Sequence, residues 1–341
     1  MKKILFLLIW ILPFNNYLFS QNERAMGDTA LEQGKNQDAL NYYNTAILKN
    51  PRDTFAIFNR ARAKAHLGDY LGAKNDYNTV IGLKPTYSGS YINRGNAEIG
   101  LNQYDSATAD YQQALKIDPN SADANYNVAR TEAKEKKYDE ALAHVSKAIK
   151  LNPHMFEFYF LRGHIYYMLD RKKEAMNDLN KTIDLNPRYA DAYGSRADIY
   201  KDQNDYKSAI VDLEKVIDLN PKDANAYNNV GFSKIEIGDF DGAIAVFRKL
   251  ITNFPNDAYA YNNLGWAFFK SGRTQEAKEQ IKKSLSIDST NSYAWRNMAL
   301  INIAENKIDA ACGYINKSLN FGFTKLYGNE VADLKKKYCD K

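Results

Sequence analysis

The chain has 341 residues, of which 45% are hydrophobic and 26% charged, a composition typical of soluble folded proteins and too hydrophobic for a disordered chain. Its net charge of +5, from 46 basic and 41 acidic side chains, argues against a polybasic nucleic-acid-binding arm. Two cysteines and four histidines exclude a disulfide-dense framework and most zinc sites with several ligands. The 25 tyrosines are unusually many, which indicates that a motif is repeated.

The first 20 residues have the three-part layout of a secretory signal peptide. Two lysines precede the apolar residues 4–12, and Pro13 then ends the run. This run is far shorter than the roughly 20 apolar residues that span a bilayer. A buried N-terminal helix and an uncleaved anchor are the alternatives. No cysteine lies near the end of the segment, which argues against a lipid anchor.

The signal-peptide layout predicts cleavage after Ser20. The exact site stays open, because Leu18 stands where a small residue is usual. The sequence after residues 1–20 has no run apolar enough to cross a membrane. We therefore expect an exported protein without a membrane span after signal removal, located in the periplasm or else secreted.

The rest of the chain repeats with a period of 34 residues, which indicates a repeat protein. Each repeat is numbered so that its recurring proline is position 32, and Ser289 stands where the eighth such proline would fall. The prolines at this spacing are Pro51, Pro85, Pro119, Pro153, Pro187, Pro221 and Pro255.

Two further positions in the repeat are always small. Position 20 is alanine in every repeat, and position 8 is glycine or alanine, so two helices can approach closely there. Residues at positions 4, 7, 8 and 11, and at 20, 24, 27 and 28, have helical spacing, and turn residues such as Gly34, Gly68 and Asn102 separate them. The proline follows the second helix, which it cannot continue. Each repeat is therefore predicted to be an antiparallel helix pair that stacks on its neighbours.

These positions resemble the tetratricopeptide repeat family, most closely at residues 261–268 with Gly272 and Ala277. The resemblance implies an all-α fold, a right-handed α-solenoid of about nine 34-residue helix–turn–helix repeats over residues 21–325. The predicted repeat boundaries lie near residues 20, 54, 88, 122, 156, 190, 224, 258 and 292.

Residues 326–341 are predicted to form a C-terminal capping helix, because Val331, Leu334 and Tyr338 share one helical face. A cap suits the last repeat, which would otherwise expose one side of its core. The chain ending, with Ala311-Cys312 and residues 335–339, is also similar to the ends of many exported repeat proteins of Bacteroidetes-type bacteria.

The two cysteines, Cys312 and Cys339, lie in the last repeat and the predicted cap. Thiols of exported proteins tend to be joined in an oxidising compartment, so we expect a structural disulfide. Closing this loop would stabilise the fold by about 3 kcal/mol on the chain-entropy model. Two buried free cysteines or a redox pair are the alternatives, although the pair lacks CxxC spacing.

In the resembled family, positions 2, 5, 6, 9, 12 and 13 line a concave groove that binds peptides or partner helices. Large apolar residues occupy several of these positions in the last repeats, and an exposed apolar patch often marks a binding site. The alternative is that neighbouring repeats bury these side chains. The candidate partner-binding residues are Phe232, Ile235, Tyr259, Asn263, Trp266, Phe269, Leu300, Ile303, Arg62 and Arg130.

Catalytic signatures are absent from the sequence: it contains no HExxH, Walker, GxGxxG or GxSxG motif, and the repeats leave no stretch long enough for a catalytic domain. We expect a non-catalytic scaffold or adaptor that binds a protein or peptide partner in its groove, without cofactor, metal or nucleic acid. The alternative is a fixed structural subunit of an envelope, secretion or outer-membrane assembly. Self-association stays open.

Overall fold

The structure, a computed structural model, describes residues 21–340. The signal-peptide prediction concerns residues 1–20, which lie outside this part of the chain. All regular secondary structure within residues 21–340 is helical, and successive helix pairs form an α-solenoid. The chain divides into two compact units between Arg171 and Lys172. Each unit is a stack in which consecutive helices pack against one another.

The first unit begins with a helix over residues 21–32, named α1. The helices that follow in this unit are α2 (Asn36–Lys49), α3 (Thr54–His66), α4 (Tyr70–Leu83), α5 (Ser88–Gly100), α6 (Tyr104–Ile117), α7 (Ala122–Lys134), α8 (Tyr138–Leu151) and α9 (Phe156–Met168).

The second unit begins with the second helix of the fifth repeat. Its helices are α10 (Lys172–Leu185), α11 (Ala190–Asp202), α12 (Tyr206–Leu219), α13 (Ala224–Glu236), α14 (Phe240–Asn253), α15 (Ala258–Lys270), α16 (Thr274–Ile287), α17 (Ser292–Ala304), α18 (Ile308–Asn320), α19 (Phe323–Tyr327) and α20 (Glu330–Tyr338). From α3 to α17, the first helix of each pair begins at a residue predicted as a repeat boundary.

A left-handed residue at position 15 ends each first helix and turns the chain into the second. All nine residues at this position have positive φ, between 57° and 82°. Glycine, asparagine and aspartate tolerate this region best, and they occupy the position in every repeat except the fourth, which has Lys136. Several second helices then gain an N-cap; Asp69, for example, accepts a hydrogen bond from the backbone N–H of Gly72 at 2.8 Å.

The core of each repeat lies where its two helices meet. Every position-20 alanine is fully buried, because the facing helix leaves no room for a longer side chain. Large residues at position 24, among them Tyr43, Tyr77, Tyr111 and Phe247, fill the space between consecutive pairs and are also buried. Much of the tyrosine excess is therefore explained by packing.

A buried polar clamp joins successive repeats, and the sequence analysis did not predict it. Arg196 of α11 donates to both carboxylate oxygens of Asp212 on α12, at 2.8 and 2.7 Å. The same guanidinium donates to Asn180 of α10 at 2.7 Å. These bonds compensate for burying the Asp212 carboxylate, which is only 3% exposed. The clamp recurs at Arg60, Asp76 and Asn44, and at Arg94, Asp110 and Asn78.

The C-terminal end differs from the predicted single helix over residues 326–341. Gly328 adopts φ 90° and separates two helices, α19 and α20, of which α19 crosses the predicted boundary at residue 325. Phe323 of α19 and Val331 of α20 are buried against the last repeat, so both helices cover its core. A disulfide between Cys312 and Cys339 fastens the end of α20 to α18, with Cα atoms 5.6 Å apart.

Candidate functional site

The groove face is defined here as the side of the first helices formed by positions 2, 5, 6, 9, 12 and 13. In the second unit, its successive helices α13, α15 and α17 are in direct contact. Trp266 and Phe269 of α15 lie with ring centroids 5.6 Å apart, and both are half-buried. Phe232 of α13 is 40% exposed, and its ring meets Phe247 edge-on at 5.9 Å. Large aromatic rings are thus accessible along this face.

Three other predicted residues also lie on this face. Tyr259 is 46% exposed, whereas Leu300 and Ile303 of α17 are half-buried. Together with Phe232, Trp266 and Phe269, they form what we call the apolar face. Its exposed rings are neither fully buried in the core nor fully solvated, which is the usual condition of an interface residue in a free protein.

Two residues predicted for the groove are not available there. Ile235 is 5% exposed and belongs to the core of the second unit, because position 12 lies at the border between the groove face and the core. Asn263 is 7% exposed, and its amide donates to Asn228 of α13 at 2.9 Å. Both side chains are therefore buried in this structure, and their predicted contact with a partner stays a prediction.

The buried amide belongs to a chain of asparagines that links three first helices. Asn297 of α17 donates to Asn262 of α15 at 2.9 Å, and Asn262 donates to its neighbour Asn263 at 3.3 Å. The bond from Asn263 to Asn228 then continues the chain to α13. Because buried amides need such partners, the asparagines fix the alignment of the helices that carry the apolar face.

A basic residue that the sequence analysis did not select borders the apolar face. The guanidinium of Arg296 lies 4.9 Å from the ring centroid of Trp266. Glu330 of α20 accepts from Arg296 Nε at 3.1 Å, so the capping helix holds the arginine over the indole. The signal available in the sequence was the 34-residue spacing between Arg296 and Glu330, which places both at position 5 of the repeat frame.

The groove face of the first unit is more polar and contains a cavity of about 420 Å³. The cavity lies on α5, α7 and the start of α9, and most of its lining comes from groove-face positions. Its lining residues are Ile92, Asn93, Asn96, Ile99, Asp123, Tyr126, Asn127, Arg130, Met155, Glu157 and Phe158.

Both predicted arginines lie on this face. Arg130 donates to the hydroxyl of Tyr111 at 3.4 Å, and its guanidinium lies 5.8 Å from the centroid of the Tyr126 ring. Burial raises the pKa of Tyr111 to about 12, while the charge of Arg130 acts in the opposite direction. Arg62 is exposed and donates to Asn59 at 3.1 Å. Carboxylates lie near both cations, because Asn59 also donates to Asp28 at 3.2 Å and Glu157 lines the same cavity as Arg130.

No metal site is formed within residues 21–340, where no group of three or more His, Cys, Asp or Glu side chains is placed to hold an ion. In the same part of the chain, no helix has the length and apolar character needed to cross a membrane.

A family model described as tetratricopeptide repeat matches residues 24–87, 92–154, 129–190 and 233–292, which together exceed half of the chain. A second model, described as TPR repeat, matches residues 197–238. No curated protein sequence matches the chain.

Two crystal structures illustrate the likeness of fold. A tetratricopeptide repeat protein from Parabacteroides merdae is 20% identical with a TM-score of 0.54, over 73% of this chain and 98% of that one. The C-terminal part of a TPR repeat-containing protein from Cytophaga hutchinsonii is 19% identical with a TM-score of 0.52, over 70% of this chain and 98% of that one. At these identities, the comparison shows the fold alone.

Proposed function

Since the chain belongs to the tetratricopeptide repeat family, we propose that it is a non-catalytic scaffold that holds a segment of a partner protein on its groove face. The repeats support protein–protein interaction in general, and the apolar face supports this more specific mode of binding. Aromatic and arginine side chains that become fully desolvated supply most of the energy of such interfaces. Trp266, placed between Phe269 and Arg296, is the expected anchor.

The asparagine chain beneath the apolar face supports the same proposal. Its hydrogen bonds hold α13, α15 and α17 in a fixed alignment before any partner arrives. A preformed surface loses less conformational freedom on binding than a flexible one, which favours affinity. The partner segment would lie across successive first helices and cover the half-buried rings.

We also propose that the protein is exported to the periplasm or secreted. The layout of residues 1–20 supports this, as does the disulfide between Cys312 and Cys339, since disulfides persist in oxidising compartments. Mass spectrometry of the protein purified from its own envelope or medium is expected to find a chain that begins near Gln21. An intact N-terminus in a cytoplasmic fraction would contradict export.

The binding proposal is tested by crosslinking pull-down with a variant carrying Phe232→Ala, Trp266→Ala and Phe269→Ala. The expected result is loss of the partner that the parent protein recovers, because the aromatic anchors are gone. A matched control carries Leu48→Ala, Leu71→Ala and Val211→Ala. These apolar side chains are exposed on second helices, away from the groove face.

The control variant is expected to recover the partner as the parent does, and circular dichroism must show that both variants are folded. A partner retained by the folded groove variant would contradict binding on the apolar face. That outcome would favour contacts through the second helices or the ends of the stack, as in a fixed subunit of an envelope assembly.

A further inference from the structure

We propose that the disulfide between Cys312 and Cys339 is a reversible redox-modification site, through which a dithiol donor controls the order of the apolar face. In the oxidised protein, the disulfide keeps α20 docked on α18, and α20 in turn orders the environment of Trp266. Reduction releases α20 and loosens that environment. The consequence for partner binding rests on the proposed scaffold function, whereas the response of α20 and Trp266 does not.

The disulfide lies where a thiol can reach it. Cys312 and Cys339 are both only half-buried. Three lysines, residues 335–337, occupy the last turn of α20, directly before Tyr338 and Cys339. Thiol–disulfide exchange begins with an attacking thiolate, which is an anion that nearby cations attract. Accessible disulfides are reduced more readily than enclosed ones, so this position suits a regulatory bond.

The exchange is balanced by a dithiol donor, which is either a small dithiol or an exported protein with a reduced cysteine pair. One thiolate of the donor attacks Sγ of Cys339 and forms a mixed disulfide, while the bond to Cys312 breaks and leaves its electron pair on Cys312 Sγ. The second thiolate of the donor then attacks the mixed disulfide, which forms the donor's own disulfide and releases Cys339. Two electrons pass to the protein, and the two released thiolates take up, through water, the protons that the donor's thiols lost.

α20 has few other ties to the molecule. It has nine residues, fewer than an isolated helix needs to be stable in water. Val331 is its one buried residue, and Leu334 is only partly buried. The N-cap residue Asn329 makes no side-chain capping hydrogen bond. Gly328, with φ 90°, supplies a flexible joint between α19 and α20. The docking of α20 therefore depends on the disulfide.

The docked helix holds the arginine that lies over Trp266. The Glu330 carboxylate accepts from Arg296 through Nε, at 3.1 Å, and through Nη2. The Arg296 side chain is 14% exposed, and its bond to the amide oxygen of Asn297 does not replace the charge of a carboxylate. When α20 leaves, the guanidinium is shielded from water without a counter-charge, which is unfavourable, so it moves towards solvent. Trp266 then loses the cation that covers its ring.

A second contact joins the C-terminal helices to the apolar face. The ring of Tyr327 in α19 meets that of Tyr293 in α17 edge-on, with centroids 4.6 Å apart. Burial raises the pKa of Tyr259, a member of the apolar face, and interaction with Tyr327 raises it further. Two contacts from the C-terminal helices thus end on or beside this face, which makes its order depend on their position.

The first test reduces the native protein with dithiothreitol. Alkylation with iodoacetamide and mass spectrometry are expected to find two free thiols per chain without any denaturant. Hydrogen-exchange mass spectrometry is then expected to show at least about tenfold faster exchange in α20, because closing a loop with a sequence separation of 27 is worth more than that factor on the chain-entropy model. Exchange in α12, which belongs to an earlier repeat, should stay within about twofold. Reoxidation with oxidised glutathione should restore the slow exchange.

A variant with Cys312→Ser and Cys339→Ser separates loss of the disulfide from other effects of the reductant. It should already show the fast exchange in α20 and should not respond to dithiothreitol. Circular dichroism must show that it is folded. If it is not, the reversible reduction of the parent protein carries the test.

The second test follows the fluorescence of Trp266, in a Trp295→Phe background that leaves it the one tryptophan of the mature chain. Acrylamide is the probe, and reduction is expected to raise the Stern–Volmer constant for quenching of the indole. Glu330→Gln removes the charge contact with Arg296 but keeps the disulfide, so it should raise this constant without reduction. The matched control Glu279→Gln, exposed on α16, makes the same change in charge and should leave the constant at the value of the parent.

Any of four results would overturn the inference. These are thiols that react only after denaturation, equal exchange of α20 in the oxidised and reduced protein, equal quenching of Trp266 in the two states, and no difference between Glu330→Gln and its control.

Partner binding distinguishes this inference from the scaffold proposal. When both hold, the reduced protein is expected to recover less of the partner than the oxidised protein, because a disordered anchor loses more freedom on binding. If the variant lacking the side chains of Phe232, Trp266 and Phe269 loses its partner while reduction leaves α20 and Trp266 unchanged, only the redox inference falls. If that variant keeps its partner while α20 and Trp266 respond to reduction, only the apolar-face proposal falls.

Discussion

Close packing within a repeat depends on the side chain at position 8. In the seventh repeat this residue is Gly231, and a Cβ atom built there would lie 2.3 Å from Cζ of Phe247. Phe247 is fully buried, so its ring has little room to move away. The same relation holds between Gly27 and Tyr43, where a Cβ would come within 2.7 Å of the ring. In these two repeats the aromatic ring at position 24 therefore requires glycine at position 8, whereas the second repeat accommodates Tyr77 beside Ala61.

We expect Gly231→Ala to destabilise the protein by about 1–3 kcal/mol, because the added methyl group overpacks the core. The matched control is Gly194→Ala, in the helical segment α11, where no atom lies within 4 Å of the added Cβ. That change should stabilise by about 0.5–1 kcal/mol, since alanine loses less entropy in a helix. Urea denaturation measures both. Similar effects of the two substitutions would contradict the packing argument.

At the scale of the element, the polar clamp determines how a repeat is fixed to the preceding one. Arg196 reaches both the second helix of its own repeat and that of the preceding repeat, through Asp212 and Asn180. The seventh repeat has no such clamp, because Val230 and Val246 occupy the positions of Arg196 and Asp212. The two arrangements are alternative solutions to the same packing problem, one ionic and one apolar.

This equivalence predicts a rescue. Asp212→Val alone should cost about 3–5 kcal/mol, because it leaves the Arg196 guanidinium half-buried without its carboxylate. Adding Arg196→Val should recover most of that loss, since no charge then remains unpaired. Thermal denaturation of the parent, both single variants and the double variant completes a double-mutant cycle. A double variant as unstable as the sum of the single variants would show that the two positions are not coupled.

The helices could largely be predicted from the sequence, because the small residues at positions 8 and 20 and the turn residues recur with the 34-residue period. The positive φ at position 15 lies at the predicted turns, since Gly34 and Asn102 already mark this conformation. Arg and Asp recur together at positions 7 and 23, but apolar spacing does not reveal which polar side chains meet across two helices, so the clamp was not predicted. Exposure on the groove face was harder to predict. Spacing places Ile235 and Asn263 on that face but does not show how closely neighbouring first helices approach.

At the scale of the whole molecule, the two units differ in character. The groove face of the first unit carries basic side chains, such as Arg62, and amides, whereas that of the second carries aromatic rings. Their cores differ as well. A single buried cluster extends through the second unit from Tyr193 to Ile301, while the described buried residues of the first unit fall into several smaller clusters. The two groove faces are therefore chemically distinct. The buried core of the second unit is also more continuous than that of the first.

Unequal cores predict unequal local stability, because in stacked repeats each interface contributes separately and openings follow the weakest region. We expect amide hydrogens of α3–α8 to exchange at least about tenfold faster than those of α12–α16, a difference of about 1.4 kcal/mol in opening free energy. Hydrogen-exchange mass spectrometry resolves the two units. The variant Phe247→Ala should remove or reverse the difference, since it costs the larger cluster about 3–5 kcal/mol. Uniform exchange in the parent protein would mean that the whole chain opens as one cooperative unit.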